Sequence, residues 1–345
     1  MKIILDVMGG DHAPEAPVMG AIQAAKDFGA EITLVGRGEA ILEVMKKHGI
    51  ETLPNGMEIA NADDVVDMHD DPMDVVRKRK GSSMMVGLKM LSDGLGDAFV
   101  SAGSTGALLT GATLIVKRVK GIRRAAMGPC MPTKTGGKVV ICDCGANAEC
   151  TPEFLLQFGI VGSLYSKKVL GVANPRVGLL NIGTEDSKGT QLQKDAYALL
   201  TDAANQGIIN FVGNVEGRSV PLGEVDVMVC DGFNGNVLIK SIEGTAMFMG
   251  GVLKKMFKKN VLTMVAALLV KSGINDLMKL LDYREIGGTQ FLGIKKPVIK
   301  AHGSSDELAF RNAVRQAMEA AENNVAAELE IELQKIAANK EKTDD

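Results

Sequence analysis

The residues best placed to do chemistry in this chain sit where short apolar runs end in small polar loops. IILDV (3–7) runs into MGGDHAP, DAFV into SAGSTGA (101–107), and KVVICD into CGANAEC (144–150). The pattern recurs in VGLLNIGTEDSKG (177–189), IINFVGNVEGR (208–218) and VDVMVCDGFNGN (225–236). Glycine lets backbone N–H groups approach an anion closely, and a helix N-terminus adds a favourable dipole. SAGSTGA, with Ser101, Gly103, Ser104, Thr105 and Gly106, reads as a phosphate or carboxylate cradle; taken alone it is also an ordinary turn between a strand and a helix. Recurrence of such loops on one sheet edge favours the cradle. On the same grounds Gly9, Gly10, Asp11, Asn147, Asn181, Glu185, Asp231 and His302 are candidate phosphate- or substrate-binding positions.

Lys188 in GTEDSKG follows a strand with Glu185 and Asp186 beside it, so it either neutralises an oxyanion or is a solvated charge on a first helical turn. Arg218 in GNVEGR has the same two readings. Asn214, Asn234 and Asn236 offer amide donors to a developing oxyanion. Asp6, Asp11, Asp143 and Asp231 are read as loop-fixing groups. Several chemistries lack their motifs: there is no GxxxxGK[ST], GRGEAI (36–41) breaks the GxGxxG pattern at its last position, and no GxSxG elbow occurs. None of His12, His48, His69 and His302 has metal spacing, and no metal or cofactor is expected. Cys142, Cys144 and Cys150 do not match a zinc spacing; strand alternation puts the first two on one face as buried thiols.

These loops need a scaffold that sets them side by side. Near-continuous apolar strands alternating with helices imply an α/β fold, a mostly parallel sheet with helices on both faces. With 345 residues the chain is long enough for two domains or one large unit. No linker is visible, so we expect a single α/β unit over 1–345 with interwoven lobes. Thr151-Pro152-Glu153 signals a helix start, and Gly162 and Gly171 punctuate the stretch after it. Residues 241–284 read as a protruding helical hairpin broken at Ser272-Gly273. A final helix covers roughly 305–336, ending in a fraying tail, NKEKTDD.

Composition narrows the partners. The chain has no Trp, 3 Tyr and a net charge of −3, which speaks against nucleic acid. Its 5 cysteines lack the spacing of a disulfide framework, implying a reducing cytosol. The N-terminus does not read as a signal peptide, and no run approaches a membrane span. Basic clusters stand at Arg77-Lys78-Arg79-Lys80 and from Lys117 to Arg124, each a solvated face unless an acidic partner docks there. In and just before KKNVLTMVAALLVKSG (258–273), Leu253, Phe257, Val261, Met264, Val265 and Leu268 fall on one helical side and lysines rim it. Such a face either lies in a bilayer interface, through Val261, Leu262, Val265, Leu268 and Leu269, or is a dimer or core surface.

DVMGGDHAP, DDPMDVVRKRKGSSM, SAGSTGA, GANAECTPEFLLQFGIVG, LLNIGTEDSKG, NFVGNVEGR, VCDGFNGNVLIKSIEG and GGTQFLGIKKPVIKAHGSS resemble the successive blocks of the PlsX family from residue 1 to about 335. That family is the bacterial phosphate:acyl-carrier-protein acyltransferase. The resemblance implies a three-layer fold like that of isocitrate and isopropylmalate dehydrogenases, and a homodimer. It also implies a reaction, in which long-chain acyl-carrier protein and inorganic phosphate give acyl phosphate for a membrane glycerol-3-phosphate acyltransferase of phospholipid synthesis. The protein would then be cytoplasmic and bound peripherally to the inner membrane surface. Two positions depart from the family pattern: Met8 stands for a usual alanine and Ser104 for a usual asparagine. The second removes any role for an amide side chain there and leaves a backbone cradle intact.

Within that chemistry Lys188, the SAGSTGA amides and Arg218 are expected to hold phosphate, Asn234 or Asn236 to face the thioester oxygen, and Arg77–Lys80 to dock the acidic carrier. A soluble phosphate acyltransferase acting on short acyl-CoA is the nearest alternative. A metal- and nicotinamide-dependent decarboxylating dehydrogenase and a non-catalytic membrane scaffold are the others.

Overall fold

A computed structural model of the protein describes the backbone of residues 1–343 and the side chains within it other than those of 275, 280, 281, 283 and 336–343. Strands β1 (Lys2–Asp6), β2 (Glu31–Gly36), β3 (Met57–Asn61), β4 (Ala98–Ser101) and β5 (Ala126–Gly128) lie in a first sheet. Strands β6 (Cys130–Pro132), β7 (Lys138–Cys142), β8 (Arg176–Leu180), β9 (Asn210–Val215) and β10 (Val227–Val229) make the second. The chain then returns to the first sheet for β11 (Gly288–Leu292) and β12 (Val298–Ala301). The orders are β3-β2-β1-β4-β12-β11-β5 and β6-β7-β10-β8-β9. All pairings are parallel except those of β11 and of β6, which are antiparallel.

Both sheets are covered on both faces because side chains alternate along a strand. In β1, Ile3 and Leu5 pack toward the core that holds Phe310 and Val314 of helix Glu307–Asn323. Ile4 packs the other way, with Phe99, Met85 and Leu88. In the second sheet Val140, Val177 and Val227 meet Phe158 and Val161 of helix Pro152–Lys168, while Val139, Ile141 and Met228 face Ile239. This is the three-layer α/β architecture expected.

Several local expectations change. Gly162 does not punctuate: it lies inside helix Pro152–Lys168, where a Cβ would come within 2.7 Å of Val227, so it lets helix and sheet approach. Cys142 and Cys144 belong to different cores, because the chain turns at Asp143 beyond the end of β7. The final helix is two, Glu307–Asn323 and Val325–Thr343, separated by Asn324 in the left-handed region (φ 40°). Of the tail NKEKTDD, Asp344 and Asp345 lie outside the described residues. Met8 fills space over β2, with its Cγ 2.9 Å from where a Cβ on Gly36 would lie.

The hairpin also differs. A helix starts within the DGFNGN loop and runs Gly232–Phe257, and beyond it come Val261–Leu269 and Lys271–Leu281. The breaks fall at Lys258–Asn260 and Val270, and Ser272-Gly273 is helical. Asn260 explains the first break: its side chain accepts from Thr263 N–H while Thr263 Oγ1 accepts from Asn260 N–H, a reciprocal cap that starts a new helix. The apolar stripe from Leu253 to Leu268 therefore crosses a bend rather than one straight helix. Among the described residues no single helix is long and apolar enough to cross a membrane; Val261–Leu269 and Lys271–Lys279, bent by 78°, meet that length and composition only as a pair.

Candidate active site

The neighbouring strands β1, β4 and β12 all end on one edge of the first sheet, and their loops are stitched together there. Asp6 closes β1 and is buried; Ser101 Oγ donates to it at 2.7 Å and Met8 N–H at 3.1 Å. Ser101 Oγ in turn accepts from Gly103 N–H. A Cβ on Gly9 would lie 2.6 Å from the Gly103 nitrogen, so only glycine permits this approach. Asp11 N–H donates to the Gly303 carbonyl at 2.8 Å. Burial pushes the Asp6 carboxyl above its ordinary pKa, although bonds from Ser83 and Ser101 oppose this.

β7 and β10 meet in the same way in the second sheet. Asp143 is fully buried and its carboxylate accepts from the N–H groups of Met127, Cys144, Ala146 and Asn147, at 2.6 to 3.3 Å. The Asn147 amide is spent on Asp143 and the Ala125 carbonyl. Asp231 caps the helix Gly232–Phe257 by accepting from Asn234 N–H, and the Asn234 side-chain amide also donates to it at 2.6 Å. One turn into the helix, Asn236 makes no such bond among the described residues and lies against Gly145.

Between the two edges opens a cleft of about 1730 Å³. One end is polar and holds Asp11, Thr105, Asn236, Lys240, Lys300 and His302. From there Ile239, Ala246 and Met247 of the long helix, Met131, and Met278 of the returning helix carry an apolar wall toward the hairpin, where Lys271, Asp276 and Lys279 rim it. The His302 ring bonds Ser304 Oγ at 2.8 Å, and burial, Lys240 and Lys300 lower its pKa, which keeps the imidazole neutral at pH 7. Lys240 pairs with Glu243 at 2.7 Å.

A family profile described as "Fatty acid synthesis protein" matches residues 1–328. The phosphate acyltransferase of Alkaliphilus oremlandii is 46% identical over 325 residues, 94% of this chain and 95% of that one. That of Bacillus mycoides is 45% identical over 320 residues, covering 92% and 94%. The chain belongs to this family, the PlsX phosphate acyltransferases. It is an acyltransferase that transfers an acyl group to phosphate. Among solved structures it resembles a phosphotransacetylase from Streptococcus pyogenes, with a TM-score of 0.62, 20% identity and coverage of 93% and 94%. It also resembles 4-hydroxythreonine-4-phosphate dehydrogenase from Klebsiella pneumoniae, with a TM-score of 0.56, 11% identity and coverage of 93% and 99%. These two show a shared fold.

The PlsX motifs are distributed unevenly about the cleft. Asp11, Thr105, Asn236 and His302 line it. Gly9, Gly10, Ser101, Gly103 and Ser104 form the stitched loops beneath, and Gly106 packs on Pro72. Lys188 is exposed, in a loop closed by Asn181, whose amide donates to the Lys188 carbonyl, and by Asn214, whose amide donates to the Glu185 carbonyl. Arg218 is exposed and pairs with Glu216. Neither Lys188 nor Arg218 lines the cleft; both stand further along the second sheet's edge, beyond β8 and β9. Sequence reading missed Lys300 and Lys240. Lys300 sits between apolar residues in PVIKAHG, and an isolated lysine inside a strand is the signal that marked it. Among the described residues no group of three or more His, Cys, Asp or Glu side chains is arranged to hold a metal ion.

Proposed function

We propose that the acyl donor is a long-chain acyl-carrier protein and the product a long-chain acyl phosphate destined for a membrane enzyme of phospholipid synthesis. The observation that carries this reading is the cleft itself. A polar end suited to phosphate and a thioester continues into an apolar wall formed by the hairpin, and the hairpin ends in a helix with no buried residue. A short acyl-CoA would need neither the wall nor the tip.

In the reaction an oxygen of hydrogen phosphate attacks the thioester carbonyl carbon. The O–C bond forms, the C–S bond breaks, and the phosphate proton goes to the departing thiolate. Thiolate leaves readily, so positioning two substrates and stabilising one oxyanion are the main tasks. Asn236 is the amide assigned to that oxygen. The Asn234 amide, held by Asp231, fixes the helix start that presents Asn236. Lys188 and Arg218, on separate loops beyond β8 and β9, are assigned to drawing phosphate toward the cleft from the open side of the second sheet.

The acidic carrier docks on Arg77 and Lys80. Arg79 is tied to Asp64 at 2.9 Å and Asp70 at 3.5 Å, and Lys78 to Asp74, so these two are largely neutralised within the chain. The exposed side chains of Phe248, Met249 and Val252, outside the cleft lining, suit pairing of two hairpins in a homodimer. Val261, Leu262, Val265, Leu268 and Leu269 rest in the bilayer interface at the inner membrane surface.

Purified protein mixed with palmitoyl-acyl-carrier protein tests the reading. Phosphate-dependent release of carrier thiol together with hydroxylamine-trappable acyl phosphate is the expected result. Release without phosphate identifies a thioesterase, and activity confined to short acyl-CoA identifies the soluble alternative.

A further inference from the structure

Lys300 is a cation without a counter-charge in contact. It is 8% exposed, on β12, and its Nζ donates to the carbonyls of Ala102 at 3.3 Å and of Ala301. Among the described residues no carboxylate lies within the 4.0 Å of an ion pair. An ammonium has three N–H donors and no acceptor, so one remains for a group in the cleft. A buried charge left unpaired is costly, and proteins keep one where something else supplies the opposite charge.

The charged and titratable groups facing Lys300 come from each side of the polar end. Asp6 and Asp11 belong to β1 and its loop, Lys240 and Glu243 to the long helix, and His302 to the same strand end. Asp6 is already engaged by Ser101 and Met8, Glu243 is taken by Lys240, and His302 is neutral at pH 7. Asp11 also lines the cleft, as does Glu243, and neither is within ion-pair distance of Lys300. Lys300 therefore has no direct ion-pair partner among the described residues at the end of the cleft where a tetrahedral anion would enter.

We propose that Lys300 binds the phosphate co-substrate, and then the phosphoryl oxygens of the product, at the polar end of the cleft. This rests on the phosphate acyltransferase reading and names the residue that receives its second substrate. The Ala102 and Ala301 carbonyls hold the ammonium in place without neutralising it. Lys240, on the opposite wall, is already paired with Glu243, so Lys300 is the cation left to meet the anion. Burial pushes the Lys300 pKa down to about 8, against the pull of Asp11 and Asp6.

The test measures initial rates against inorganic phosphate for the parent, Lys300→Met and Lys300→Arg, from pH 6.5 to 9.5, with palmitoyl-acyl-carrier protein as donor. A charge-assisted hydrogen bond to phosphate corresponds to about a 10- to 100-fold rise in phosphate KM for Lys300→Met, with the KM for the carrier unchanged. In the parent, phosphate KM climbs as pH passes about 8. In Lys300→Arg that limb is absent, because a guanidinium stays protonated. An unchanged phosphate KM in folded Lys300→Met overturns the proposal, as does an alkaline limb shared by parent and Lys300→Arg. If Lys300→Met fails to fold, the pH profile of Lys300→Arg decides alone. Lys188→Ala is run alongside, and a phosphate defect there with none at Lys300 also overturns it. Should the parent make no acyl phosphate, the reaction reading fails separately. Calorimetric titration with inorganic phosphate then still judges Lys300: binding to the parent that is lost in Lys300→Met supports the site, and equal binding or no binding overturns it.

Discussion

Two asparagines, Asn234 and Asn236, flank Gly235, and architecture and chemistry divide between them. Sequence offered both as amide donors. The structure gives Asn234 to Asp231 and leaves Asn236 in the cleft. Asn236→Ala is therefore expected to lower kcat by about 10²–10³, the usual cost of an oxyanion donor, with little change in Tm. Asn234→Ala is expected to cost about 1 kcal/mol of stability through a weakened helix start, measured by denaturant unfolding. What was legible at this scale was the anion chemistry of glycine-rich strand ends. What was not legible was direction: Asn147 carries the right amide but spends it on Asp143 and the Ala125 carbonyl, and only three-dimensional packing reveals that. Lys300 was passed over for the converse reason, since its apolar flanks read as one more buried strand.

Among the elements, the strands were visible because their apolar runs are short and bounded by glycine. Their partition into two sheets was not, because β11 and β12 rejoin a sheet begun almost the whole chain earlier. The hairpin's helical character was legible from periodicity, whereas its first break was set by the Asn260 cap, a local bond pattern stronger than the Ser-Gly signal. Helix Val261–Leu269 has no buried residue, with Val265 50% and Leu268 69% exposed. Val265→Glu with Leu268→Glu should thus leave folding within about 0.5 kcal/mol of the parent, as surface changes do, and abolish sedimentation with anionic vesicles. Retained vesicle binding would place the membrane contact elsewhere. At the Pro72–Lys78 helix, charge reversal of Arg77 and Lys80 is expected to raise the KM for acyl-carrier protein severalfold and leave that for phosphate alone. Arg79→Glu should instead loosen the Asp64–Asp70 loop, read as a lower Tm.

At the scale of the whole molecule, Arg284 bolts the end of the hairpin to the first sheet's helix layer. It binds Asp282 at 2.6 Å and Asp306 at 2.8 Å, and Asp306 caps helix Glu307–Asn323. Arg284 holds the Asp282 carboxyl below its ordinary range; at Asp306 burial pushes upward, but the Ala309 N–H and Arg284 more than offset it. Both folded pKa values are depressed, so the stabilisation is present above the unfolded carboxylate value of about 3.9 and is lost as pH falls through the folded values. Arg284→Met should be less stable than the parent at pH 7, by about 1 kcal/mol for a partly exposed network, and the difference should shrink below about pH 4. A gap independent of pH would assign the loss to packing instead.

The long helix that starts beside Asp231 also sets a distance. From Asn236 to Phe257 it rises about 32 Å at 1.5 Å per residue. A molecule seated on lipid by its tip, with this helix upright, holds the reacting carbonyl roughly that height above the start of the tip. On the proposed reading the helix is a stand-off post, and a nascent fatty product has a greasy banister to follow down to the bilayer.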